Sequence, residues 1–135
     1  MKQLLIALLV AFSLIACQKD ETPVLNENEA LVGSWINPQY NDTLVTYTRS
    51  TSLVENEVGF IFKPNNTLVY RQNSGWCGTP PIVTADYDGT WSWNDSIVEI
   101  KTSYWGGTTE FTWKIVSLNQ KELVISVLNY SNSGK

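Results

Sequence analysis

The sequence predicts an all-β fold, a small antiparallel up-and-down β-barrel of about eight strands, on three observations. Short segments rich in Val, Ile, Thr, Tyr and Trp follow one another from Leu31 to Leu128, the residues that favour a pleated, half-buried surface. Turn-forming Asn, Asp, Gly and Pro separate these segments at short intervals. No stretch after residue 16 shows the three-and-four apolar spacing of a long amphipathic helix. Consecutive hairpins of this kind fit either a closed barrel or a sandwich. Closure removes the exposed strand edges that invite aggregation, and the barrel is the expectation.

Residues 1 to 16 read as a secretion signal, an N-terminal signal helix that is removed. Met1-Lys2-Gln3 precedes an apolar run from Leu4 to Ala16 that only Ser13 interrupts, a positive start followed by a short apolar core. A bilayer span needs about 20 apolar residues, and this run gives way to Gln18-Lys19-Asp20-Glu21 instead. Leu14-Ile15-Ala16-Cys17 resembles the lipobox of bacterial lipoproteins, which implies that Cys17 is acylated, palmitate included, and becomes the mature N-terminus. Each buried lipid CH₂ contributes about 0.8 kcal/mol, so several chains on one Cys give lasting membrane attachment. Gln18, Lys19, Asp20 and Glu21 are similar to the export signal that carries some lipoproteins to the outer face of the outer membrane. That resemblance implies a surface-exposed protein; a solvated charge run with attachment facing the periplasm is the alternative.

From Cys17 to about Glu29 the chain is polar and aperiodic, with Pro23, Asn26 and Asn28, and reads as a flexible tether. One domain is expected over residues 30–130, followed by a tail at 131–135. The strands come in order. Thr43 to Val54 is rich in Thr, Val, Tyr and Leu; Val58 to Phe62 and Thr67 to Gln72 flank the turn Lys63-Pro64-Asn65-Asn66. A strand ending at Trp93 pairs with one starting at Ser96 across Asn94-Asp95, and the next hairpin turns at Trp105-Gly106-Gly107. Glu110 to Leu118 then pairs with Glu122 to Leu128 across Asn119-Gln120-Lys121. There Phe111, Trp113 and Ile115 share a face with Leu123, Ile125 and Val127, while Thr112, Lys114 and Ser126 lie opposite, one face inward and one in water.

Leu31-Val32-Gly33-Ser34-Trp35 is similar to the Gly-x-Trp opening of lipocalins and of short bacterial lipocalin-like domains, with Gly33 and Trp35 as its signature. Phe60-Ile61-Phe62, Thr67-Leu68-Val69-Tyr70, Tyr87-Asp88-Gly89-Thr90-Trp91, Ile115-Val116-Ser117-Leu118 and Leu123-Val124-Ile125 follow in the order of that group, so the resemblance covers Leu31 to Leu128. It implies a barrel that is filled by its own side chains or holds one small ligand, with Trp35 plugging the base. Lipocalins place an Arg of the last strand over the first-strand Trp. No Arg lies beyond Arg71 here, so the closing contact must differ.

Chemistry is bounded by what is missing. The chain has no His, which removes the commonest general base and metal ligand and any Ser-His-Asp or Cys-His pair. With Cys17 committed to lipid, Cys77 is the one remaining thiol, too few for a thiolate zinc site, and no neighbouring cation cluster activates it. Residues 17–135 carry 8 basic and 13 acidic side chains, net −5, and the scattered lysines cannot neutralise phosphates, so no nucleic-acid partner is expected. Asp86-Tyr87-Asp88 sets two carboxylates on one side of an extended segment, without the further oxygens that a calcium loop needs. Asp42-Thr43-Leu44 and Asp95-Ser96-Ile97 resemble O-glycosylation sites of some exported bacterial proteins.

Trp91, Trp93 and Trp113, with Tyr70 and with Trp76 from the loop Gly75-Trp76-Cys77-Gly78-Thr79-Pro80-Pro81, are candidate walls of a ligand site, because rigid aromatic rings give large contact area; packed core is their other reading. The expectation is therefore a non-enzymatic, cofactor-free module that is anchored to the membrane through Cys17 and binds a small apolar ligand. The alternative is a filled core whose loops bind a host or envelope protein. An open mouth with a cavity of about 300 Å³ favours the first, and a packed interior beneath an exposed apolar loop patch favours the second.

Overall fold

A computed structural model of the chain describes residues 27–75 and 79–134. The signal helix, Cys17, the run Gln18, Lys19, Asp20 and Glu21, and the loop residues Trp76 and Cys77 lie outside the described residues. A five-residue helix, α1 (Glu27–Leu31), leads into eight strands: β1 (Gly33–Asn41), β2 (Leu44–Ser50), β3 (Gly59–Phe62), β4 (Thr67–Asn73), β5 (Thr84–Asn94), β6 (Ile97–Tyr104), β7 (Gly107–Leu118) and β8 (Glu122–Gly134).

These strands form the expected closed, antiparallel, eight-stranded barrel, an architecture consistent with a lipocalin-like fold. β3 to β8 follow one another around the wall as hairpins. At the seam the order is β3-β1-β2-β8, so β2 rather than β1 meets the last strand. The connection from β2 to β3 must therefore pass over β1. Residues 51–58, read from sequence as the end of a long strand and the start of the next, are that passage. Leaving the wall to cross a neighbour ends the ladder at Ser50 despite the apolar Leu53 and Val54. Leu53 settles against Gly59, where a Cβ would lie 2.9 Å from its methyl carbon.

Local chemistry explains the tight turns. Asp42, Asn66 and Asp95 sit in the left-handed region, with φ of 54°, 61° and 61°, which Asn and Asp tolerate better than other side-chain-bearing residues. Both glycosylation-like pairs, Asp42-Thr43 and Asp95-Ser96, stand in such turns. The Asn119 side-chain oxygen accepts from the backbone N–H of Lys121 at 2.8 Å and of Glu122 at 2.9 Å, fixing the last hairpin.

Pairing divides the barrel into two ends. Ser34 to Ile36 of β1 are paired on both sides, with β2 and β3, and Leu123 to Ser126 of β8 on both sides, with β2 and β7. Beyond Ile36, β1 pairs with β2 alone; beyond Ser126, β8 pairs with β7 alone. One end is thus sealed and the other opens as a mouth. β8 runs to Gly134 rather than ending near Leu128, so most of the expected tail is strand. The alternation breaks at an irregularity opposite Thr112/Trp113, after which Tyr130 pairs with the inward Phe111 and Asn132 with the buried Thr109.

At the sealed end α1 replaces part of the expected tether, because Leu31 is fully buried there. Trp35, also fully buried, donates its indole N–H to the Leu31 carbonyl at 2.7 Å. Arg49 of β2 covers this Trp with its guanidinium carbon 4.2 Å from the ring centroid, donating to the carbonyls of Val32, at 2.8 Å, and Ala30. The closing contact thus differs from the lipocalin one in strand, not in kind. Gly33, at φ 136°, makes room: a Cβ would stand 2.6 Å from the Arg49 Nη1. Arg49→Met should keep the aliphatic packing but lose two charge-assisted bonds and the ring contact, lowering unfolding free energy by roughly 2–4 kcal/mol in urea titration.

Candidate functional site

Above Trp35 the interior is filled with aromatic rings. Trp113 stacks on Tyr47 at 5.8 Å between centroids and meets Phe60 edge-on at 4.9 Å, and Phe62 meets Trp91 edge-on at 5.4 Å. Leu68, Val98, Ile100, Leu123 and Ile125 fill the gaps, all at most 2 % exposed. Offset and edge-to-face pairs of this kind add about 0.5–1.5 kcal/mol each beyond burial. These rings and aliphatic side chains form one continuous buried cluster.

The sequence candidates consequently separate. Trp91 is buried, its N–H shared between the carbonyls of Lys63, at 3.2 Å, and Thr67, at 3.1 Å. Trp113 is buried with its N–H unpaired. Trp93 lies toward the sealed end, donating to the Asp95 carbonyl at the β5–β6 turn. Tyr70 stacks on Phe60 at 4.3 Å and 9°, and carries the aromatic column upward to the mouth; Trp76 lies outside the described residues.

At the mouth, an open cavity of about 380 Å³ is lined by Val58, Tyr70, Gln72, Asn73, Gly75, Tyr104, Trp105, Tyr130 and Asn132. β4 supplies Tyr70 and Gln72, β8 supplies Tyr130 and Asn132, and the β6–β7 turn supplies Trp105. Tyr104 and Trp105 meet edge-on at 5.7 Å. Gly106 permits this, since a Cβ there would fall 2.5 Å from the Tyr104 ring. The Asn132 amide donates to the Tyr130 hydroxyl at 2.8 Å, which orients that phenol. The Gln72 amide nitrogen is buried without a hydrogen-bond partner, and an orphaned buried donor costs about 1–3 kcal/mol. A second cavity of about 460 Å³ adjoins on the rim, sharing Tyr104 and Trp105 and adding Tyr87, Ser103, Thr108 and Ser133.

Electrostatically the mouth is neutral. Among the described residues, none that lines the two cavities is charged. Burial pushes the Tyr70 phenol well above its ordinary range, with the neighbouring phenols of Tyr130 and Tyr40 adding to the shift, so Tyr70 stays a neutral donor. Tyr47, deeper in the core, is raised for the same reason. The nearest ion pair, Arg71 with Asp86, is bidentate at 2.6 and 2.8 Å on the outer face, where Arg71 also donates to the Val54 carbonyl at 3.2 Å and ties down the β2–β3 passage. Asp88, like Asp86, is exposed on β5, and among the described residues no group of three or more acidic side chains could hold a metal. A groove of about 350 Å³ on the outer wall of β5–β8 lies alongside the exposed Lys101–Glu110 pair and faces open solvent.

Trp105, Tyr104, Tyr130, Gln72 and Asn132 were not singled out by sequence. Trp105-Gly106-Gly107 signals only a turn, and Tyr130 and Asn132 fall beyond the expected last strand. A signal was nonetheless present: Asn129 to Ser133 keeps an amide or aromatic at alternate positions. No family model matches the chain, and no match is found among curated proteins or solved structures.

Hydrogen bonding to Arg71 holds the Asp86 carboxyl below its usual range. A depressed carboxylate stabilises the fold above its unfolded-state pKa and loses that contribution as pH falls through the folded value. The Asp86 side chain is half-exposed at 47 %, so screening keeps the effect small. Asp86→Asn should cost less than about 1 kcal/mol at pH 7, and the difference from wild type should shrink in paired urea titrations as the pH falls below the ordinary carboxylate range.

Proposed function

We propose that the chain is a lipid-anchored, non-enzymatic binding module of the lipocalin-like kind that holds a small uncharged ligand, presenting apolar faces, at the mouth of its barrel. The observation that carries this reading is the mouth cavity of about 380 Å³, lined by four aromatic residues and three amide side chains above a packed floor. It falls within the size range of small-molecule sites, where a few placed polar groups orient a ligand against apolar walls. The ligand sits higher than a site walled by Trp91 and Trp113 would put it, because those rings pack against one another.

The anchor is Cys17, diacylglyceryl-modified before removal of residues 1–16 and N-acylated after it, and Gln18-Lys19-Asp20-Glu21 directs the protein to the exterior face of the outer membrane, with periplasmic attachment as the alternative. No cofactor enters this reading. The lack of His and the neutral mouth both argue against acid–base catalysis there. A second reading, capture of a host or envelope protein by the loops, draws on Trp105, Ile82 and Val83, which are exposed at 46 %, 42 % and 58 % on connections at the mouth end.

Replacing residues 1–17 with a cleavable secretion signal that lacks the lipobox Cys should move the protein from the membrane fraction to the soluble fraction. Native mass spectrometry of that soluble protein should show a reproducible small-molecule mass that denaturation releases. A protein that stays with membranes would refute the anchor, and a clean apo mass would shift the reading to the loop-mediated interaction.

A further inference from the structure

We infer that the mouth takes an uncharged oligosaccharide, with sugar rings on both sides of the Trp105 indole. This inference rests on the mouth being the ligand site and names the class of ligand. It begins from the two cavities of about 380 and 460 Å³, which are not separate features: both are lined by Tyr104 and Trp105. A half-exposed indole, met edge-on by Tyr104, belongs to the lining of both concavities. One compact ligand fills one concavity. A chain of two or more rings fills both and uses the shared indole.

The polar groups match that chemistry. Gln72, Asn73 and Asn132 with the phenols of Tyr70 and Tyr130 line the inner concavity; Ser103, Thr108 and Ser133 with Tyr87 line the outer. Each of these side chains both donates and accepts, as does each hydroxyl of a sugar. The C–H faces of a pyranose ring are apolar and lie flat on an aromatic ring. A purely apolar ligand would dry these groups without pairing them, at about 1–3 kcal/mol for each that is left unsatisfied. An acid or a phosphate would bring a charge to walls whose described side chains hold no counter-charge.

Orientation adds to the argument. The chain enters the barrel through α1 at the sealed end, where Leu31 and Ala30 are held by Trp35 and Arg49. The mouth lies at the opposite end, with the β6–β7 turn and the end of β8, and so faces away from the side on which the anchored segment joins. A site so placed is open to extended chains, which a deep pocket would not admit.

The test is isothermal titration calorimetry of the full-length chain in a detergent without a sugar headgroup. The probes are neutral tetrasaccharides of glucose, mannose, galactose and N-acetylglucosamine, with the matching monosaccharides, and N-phenyl-1-naphthylamine as an uncharged apolar probe. At least one tetrasaccharide should bind about tenfold or more tightly than its monosaccharide. Trp105→Ala should weaken it by a further factor of about ten, with an unchanged thermal unfolding midpoint. If only the apolar probe binds, and Trp105→Ala weakens it, the mouth is the site but the ligand class is wrong. If neither kind of probe binds, both readings fall. Tetrasaccharide binding that ignores Trp105→Ala would place the sugar site elsewhere and overturn the inference.

Discussion

The guanidinium of Arg49 lies over the Trp35 ring while its terminal nitrogens hold the carbonyls of Ala30 and Val32, and the closed wall depends on this contact. It ties β2 to β1 and to the segment entering β1, at the level where the order around the seam departs from the order along the chain. Burial pulls the Arg49 pKa down from its ordinary value, yet a guanidinium stays charged in proteins, so its bonds remain charge-assisted. The Trp35 indole is thereby held between a cation and the packed interior, with its N–H satisfied by Leu31.

From that fixed base the aromatic column rises through Phe62, Trp113, Phe60 and Tyr70. A small barrel must either fill its interior or leave a cavity, and large rings in mutual contact fill it. The ladder on both sides of β1 and β8 stops where the filling stops. What remains above is wall without closure, and there the inward residues change character, from Phe and Trp to Tyr, Gln and Asn. Structure and chemistry change together at one level, and the proposed ligand site at the mouth rests on that coincidence.

Much of the architecture was legible in the sequence because hairpin physics is local. Period-two alternation, Asn and Asp at left-handed turn positions and the succession of short β-branched runs specify β3 to β8 without long-range information. The exchange of β1 and β2 at the seam was not legible, since residues 51–58 have strand-like composition and only the need to cross β1 takes them out of the wall. Arg49 was overlooked for the same reason: its role depends on β2 lying beside β1, whereas the resemblance pointed to the last strand. The mouth escaped because its residues are individually unremarkable. Tyr104 and Trp105 read as a turn, Gln72 as the end of a strand, and Tyr130 and Asn132 as lying beyond the last strand; the irregularity near Leu128 hides their inward alternation.

Native-state hydrogen exchange followed by NMR tests the division into a sealed, filled end and an open mouth most directly, because amides report the free energy of local opening. Amides of Trp35, Val45, Tyr47, Leu123 and Ile125 should exchange only through global unfolding, while those of Asn129 to Ser133 and the Trp105 turn should exchange at a much lower opening free energy. Equal protection at both ends, or faster exchange at Trp35 than at Tyr130, would contradict the account.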